Sequence, residues 1–243
     1  MHKHDEASYR RFAAIAKSLG RSLEAHYALM QAEQRDAEGA VPAIAAHERR
    51  GLDIALPFIE AQDQVLVLGC GAGAELDYLK RAGKANLTGL DISPRLVREA
   101  GEKHGVPTLV GDMAKTNLSD RSFDVVLCHR ALHHLFYPFI ALEEMARLAR
   151  KTVLIVDEPA RAAVKIAARK LLRQPVLSAA GIFEYQFATD DVVRYLGFNG
   201  FACARLQRYW ETSNRAANSL GNMLMPFTGN RFVGVFQRLK VMA

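Results

Sequence analysis

The chain has 243 residues and a mass of 26.9 kDa, enough for one sizeable hydrophobic core with an attached elaboration and short of two independent domains. Half of its residues are apolar and 24% are charged, which excludes a disordered, collagenous or fibrous protein. The net charge is +6, yet residues 58–160 hold 12 basic and 14 acidic side chains whereas residues 161–243 hold 12 and 4, so the basic excess is local and the middle of the chain is unlike a nucleic-acid groove.

Three cysteines, Cys70, Cys128 and Cys203, are odd in number and far apart. They form neither a disulfide framework nor a zinc spacing, which fits a reducing compartment. The N-terminal segment is polar, and no run approaches the roughly 20 apolar residues of a membrane span. A soluble, cytoplasmic protein is the expectation.

Residues 1–57 are expected to form a helical cap. Phe12, Ile15, Ala16 and Leu19 recur at helical spacing over 7–19, and Gly20 stands where a helix ends. Ser22 is placed to cap a second helix, and a third helical stretch covers 45–60. From Gln64 the pattern changes to short apolar runs, 65–68, 86–90, 108–110, 124–128 and 153–156, separated by helix-sized segments. Such runs are the mark of strands buried on both faces, so βαβ crossovers and an open doubly wound α/β sheet follow. A helix capped by Thr189 and ending at Gly197, then two closing strands over 201–206 and 232–239, complete the pattern. The domain proper is expected over 58–243.

The run 65–68 leads directly into Gly69-Cys70-Gly71-Ala72-Gly73 and then a helix over 74–81. Glycine at 69, 71 and 73 keeps side chains out of a strand-to-helix turn and lets a ligand approach the backbone. The spacing Gly69-x-Gly71-x-x-Ala74, with Asp91 about twenty residues on, also satisfies a dinucleotide fingerprint, so the glycines alone do not choose among nucleotide cofactors. Asp91 ends its strand where a carboxylate can accept hydrogen bonds from both hydroxyls of a ribose. Ser93, just before Pro94, suffices to cap the helix that follows.

Together with Val110-Gly111-Asp112-Met113, the segment 122–135 that contains Cys128-His129-Arg130-Ala131-Leu132-His133-His134, and 152–159 ending in Asp157-Glu158-Pro159, this pattern resembles the class I S-adenosylmethionine-dependent methyltransferases. The resemblance implies a Rossmann-like, seven-stranded, mostly parallel sheet of order 3-2-1-4-5-7-6. It also implies S-adenosylmethionine as cofactor, held by Gly69, Cys70, Gly71, Gly73, Asp91, Ile92, Asp112, Met113 and His129. In this family Asp112 would accept from the adenine amino group, and the backbone of the next residue would lie under the ring. One departure stands out: Val67 occupies a first-strand position where the family often has an acid, leaving the cofactor's ammonium to backbone carbonyls of the loop.

The methyl of such a cofactor is already activated, so a base is optional. His129 and His133 are the candidates for a general base, because histidine titrates near neutral pH, and either residue has an alternative role in packing or hydrogen bonding. A metal set of these histidines with Asp157 and Glu158 is disfavoured, because His129 still belongs to a strand and does not share a helix face with His133. No metal is expected.

Arg161, Lys165, Arg169 and Arg173 recur every four residues on an expected amphipathic helix within an insert over 160–185. Three uses compete for this stripe: a solvated face, a lid for an anionic substrate, and a contact with an anionic membrane surface over 161–173. The expected function is methyl transfer to a small-molecule acceptor, anionic or hydrophobic. An RNA-modifying enzyme and a non-catalytic cofactor-binding protein are the alternatives.

Overall fold

The computed structural model describes residues 44, 49–135, 137–161, 185–211, 222 and 229–240. The helices expected over 7–19 and from Ser22, and the basic helix expected within 160–185, lie outside the described residues apart from the ends of the insert at 160, 161 and 185.

Seven strands form one sheet: β1 (Val65–Leu68), β2 (Leu87–Asp91), β3 (Thr108–Val110), β4 (Phe123–His129), β5 (Ala149–Pro159), β6 (Phe201–Tyr209) and β7 (Arg231–Arg238). The order is β3-β2-β1-β4-β5-β7-β6, with β1 to β5 mutually parallel and β7 antiparallel to both neighbours. This is the expected Rossmann-like order. All five parallel strands therefore end at one edge of the sheet, where a doubly wound fold binds its ligands.

Strand alternation builds two cores. Val65, Val67, Val125, Leu127, Leu154 and Val156 face one side, where they meet Leu52 and Ala55 of α1 (Arg50–Ala55), Leu76 and Leu79 of α2 (Ala74–Arg81) and Ala100 of α3 (Pro94–His104). Leu66, Leu68, Val126, Cys128, Val153 and Ile155 face the other, against Ala141, Leu142 and Met145 of α4 (Pro138–Leu148) and Val192 and Leu196 of α5 (Thr189–Phe198). Leu52 and Ala55 are almost fully buried in the same core as β1 and β4, so α1 belongs to the packed domain although the expected boundary at 57 sets it with the cap.

The Ser93 hydroxyl accepts from the Leu96 N–H at the start of α3, as its position before Pro94 predicts. Thr189 does not cap α5. It is the first helical residue, and Ala188 holds the cap position without a side-chain bond. Strand β5 extends four residues before and three after the apolar run 153–156, because β4 and β7 on either side continue the ladder past charged residues. Among the described residues no helix is long and apolar enough to cross a membrane.

Candidate active site

The turn from β1 to α2 is fixed by backbone bonds: Gly69 and Cys70 both donate to the Leu90 carbonyl of β2, at 2.8 and 3.1 Å, and Gly73 donates to the Cys70 carbonyl at 2.9 Å. Gly69, Gly71 and Gly73 all have positive φ, of 70°, 49° and 88°. Their surroundings differ. A Cβ on Gly69 would lie 2.6 Å from Ala131 Cβ and 2.7 Å from Met113 Cε, and one on Gly73 would lie 2.7 Å from His104 Cδ2. A Cβ on Gly71 would meet nothing within 4 Å. Gly69 and Gly73 are therefore small because the protein presses on them, whereas Gly71 faces open space at the carboxyl edge of the sheet.

Asp91 joins this loop to β2. Its Oδ2 accepts from the Gly71 N–H at 2.9 Å and its Oδ1 from the Ser93 N–H at 2.9 Å. Each carboxylate oxygen retains a second acceptor site, so the clamp on the loop does not use up the capacity of Asp91 for a ligand hydroxyl. Ile92 beside it and Val110 at the end of β3 are apolar yet 44% and 56% exposed. Asp112 is exposed, with Oδ1 accepting from the Ala114 N–H at 2.8 Å, while Met113 turns inward beneath Gly69. Cys70 is buried with its sulfur toward Gly89, and burial, reinforced by Asp91 and Glu75, pushes its thiol pKa well up. Only its backbone remains for a ligand.

Both histidines are engaged by carboxylates. His129 Nδ1 lies 2.7 Å from Glu75 Oε1, in the first turn of α2, and its Nε2 lies 3.0 Å from Asp157 Oδ2, at the end of β5. A carboxylate at each ring nitrogen favours the doubly protonated, cationic ring. Burial opposes that charge, but the hydrogen bonds to Asp157 and Glu75 and their charges outweigh it, and the pKa rises to about 9. For Asp157, fully buried, burial pushes the carboxyl up despite the opposing effect of His129. Both ring nitrogens of His129 thus face carboxylates.

His133 belongs to a different pair. Glu158 Oε1 accepts from the N–H groups of Ala131 and Leu132 at 2.8 and 2.9 Å, and Oε2 accepts from the N–H of His133 at 3.1 Å and from its Nδ1 at 2.8 Å. Glu158 thereby caps the 3-10 turn Leu132–His134 that follows β4. Burial raises its pKa, but the His133 charge and these hydrogen bonds prevail and lower it.

Local backbone geometry makes this arrangement. Asp157 and Arg130 have φ of 56° and 54°, unusual for residues with a Cβ. The β5–β7 register shifts between Ile155 and Glu158. The bulge lets Asp157 follow Val156 onto the face occupied by α1, where it lies against Gly51, and sends Glu158 toward the turn after β4. Glu75, Asp157 and Glu158 were not among the expected site residues. The signal for the last two was an Asp-Glu pair directly after an apolar strand, beside a neighbouring strand that ends in histidine.

Residues 66–156 match the family model described as a methyltransferase domain. A curated protein of Mycobacterium ulcerans (strain Agy99), a probable phthiotriol/phenolphthiotriol dimycocerosates methyltransferase 2, is 34% identical over 144 residues, 56% of this chain and 54% of that protein. The chain thus spans about half the length of that curated relative. Magnesium protoporphyrin IX methyltransferase of Synechocystis PCC 6803, solved with bound S-adenosylhomocysteine, superposes with a TM-score of 0.62 at 20% identity, over 86% of this chain and 95% of that one. The putative methyltransferase solved with the Haloferax volcanii Trm112 activator superposes with a TM-score of 0.65 at 18% identity, over 91% of this chain and all of that one. Sheet order, glycine loop and matching region agree: residues 66–156 are similar to the methyltransferase-domain family, and the sheet has the fold of the superposed methyltransferases.

Proposed function

We propose that the chain transfers the methyl group of S-adenosylmethionine to a small apolar acceptor. The observation that carries this reading is the open position over Gly71, flanked by the Asp91 carboxylate at the carboxyl ends of β1 and β2. The residues present fit that donor: Asp91 would accept from the ribose hydroxyls, Ile92 and the backbone at Met113 would flank the adenine, Asp112 would accept from its amino group, and the backbone of Gly69, Cys70, Gly71 and Gly73 would border the rest. When bound, the donor supplies a methyl already activated on sulfur. The chain then has to align the acceptor behind that carbon and exclude water. His129 and His133 act as positioning residues in this reading, because each is locked onto a carboxylate.

The insert leaves the sheet beside this site and returns beside it. Arg161 donates to the Phe187 carbonyl at 2.8 Å, Phe187 to the Pro159 carbonyl at 2.8 Å, and Tyr185 to the His133 carbonyl at 2.9 Å. Tyr185 packs edge-on against Phe187 and Phe139, with centroid distances of 4.8 and 6.4 Å, which anchors the return point to the core. The name of the M. ulcerans relative, with its dimycocerosates, supports an apolar acceptor. In this reading the basic residues from Arg161 to Arg173 favour an anionic membrane surface on the cytoplasmic side.

The test is a donor with a labelled methyl group, incubated with the protein and either an organic extract or total tRNA. Label in the organic phase is expected, and label confined to tRNA would instead support the RNA-modifying alternative. Co-sedimentation with anionic vesicles that is lost at high salt is expected for the stripe, and no binding at low salt would remove it.

A further inference from the structure

We propose that Glu75 is the anion of this site that holds the α-ammonium of the bound donor, delivered by helix α2 and positioned by His129 and Asp157. The inference rests on the donor assignment made above. An ammonium taken out of water needs acceptors, and a carboxylate is the strongest of them. Strand β1 supplies no acidic side chain, because Val65–Leu68 are all apolar and buried.

Five carboxylates stand at or just beyond the carboxyl ends of the parallel strands, and four are committed or distant. Asp91 is taken by the ribose hydroxyls in the donor assignment, and both its oxygens also accept backbone N–H groups. Glu158 receives four donors and is fully buried. Asp157 is equally buried, with Oδ2 on His129 and Oδ1 closed off by Gly51. Asp112 follows the edge strand β3, two strands away from β1. Glu75 remains.

The position of Glu75 suits the role. It lies two residues beyond Gly73, its side chain is 15% exposed, and among the described residues only its Oε1 has a partner, leaving Oε2 to accept. Its charge reaches Cys70 in the glycine loop and Cys128 in β4, raising both thiols, so the carboxylate sits between the loop and the end of β4. One imidazolium between two carboxylates leaves the group with a net charge of −1. The bond from His129 fixes the rotamer of Glu75 before any ligand arrives, which lowers the ordering cost of binding.

Calorimetry with two probes separates this role from a purely structural one. The first is S-adenosylhomocysteine, and the second is its analogue with hydrogen in place of the α-amino group. Glu75→Gln keeps the shape and is expected to weaken the first at least tenfold and the second less than twofold, a coupling between the side chain and the amino group. Equal losses for both probes, or none for either, would overturn the assignment. If the Gln variant does not fold, Glu75→Asp serves, with a smaller loss again confined to the amino-bearing probe. Failure of the wild-type protein to bind either probe would instead overturn the donor assignment itself.

Discussion

Gly51 has no room for a side chain because Asp157 fills it: a Cβ there would lie 1.8 Å from Asp157 Oδ1 and 2.4 Å from its Cγ. Asp157 cannot yield, being fully buried, held by His129 and set at a positive φ. Gly51→Ala in a free helix would stabilise by about 1 kcal/mol. Here it is expected to destabilise by about 1–3 kcal/mol through overpacking. Thermal melting checks the sign: the variant should melt lower by about 2–4 °C per kcal/mol, and a rise would contradict this packing.

His129→Ala leaves Glu75 and Asp157 facing one another without the cation between them. Removing one partner of a buried ion pair costs about 3–5 kcal/mol, visible as a fall in the denaturation midpoint. The pH dependence carries the same signature. Because the folded pKa of His129 is raised from 6.5 to about 9, the stability it contributes is complete below 6.5 and lost as pH rises through about 9. Denaturant midpoints from pH 6 to 10 should therefore fall for the wild type, and the part of that fall due to His129 should vanish in His129→Ala.

Glu158 has the opposite sign. Its folded pKa is lowered from 4.5, so its contribution is present above 4.5 and lost as pH falls through the lower folded value. Glu158→Ala strands the three backbone N–H groups of 131–133 and the His133 ring, at a cost of about 3–5 kcal/mol. Glu158→Gln retains acceptance on one side only and is expected to fall between. Melting curves of the two variants at pH 7 test that order.

Much of this fold is legible in the sequence where local pattern and tertiary context agree. The limits of β1, β3 and α2 coincide with the apolar runs and the glycine turn because nothing beyond them continues the pairing. Strand β5 is longer than its apolar run because β4 and β7 carry the ladder over Arg150, Lys151, Asp157 and Glu158. In the site, the glycine loop and Asp91 are visible because turn, strand end and acid lie in one stretch. The partners of His129 are not, since they lie 54 residues before it and 28 after, and a bulge decides which way Asp157 faces. The pairing sets each histidine against a carboxylate that no local pattern around 129–134 announces.

The most direct test of the account is calorimetry of S-adenosylhomocysteine with the wild-type protein and Gly71→Ala. A Cβ at 71 meets no protein atom within 4 Å and so costs the fold only the strain of a left-handed residue, about 1–2 kcal/mol. It does enter the space assigned to the donor. The account predicts one-to-one binding by the wild type, and a loss of at least tenfold in a variant whose circular dichroism is unchanged. Absence of binding by the wild type, or equal affinity in Gly71→Ala, would contradict it.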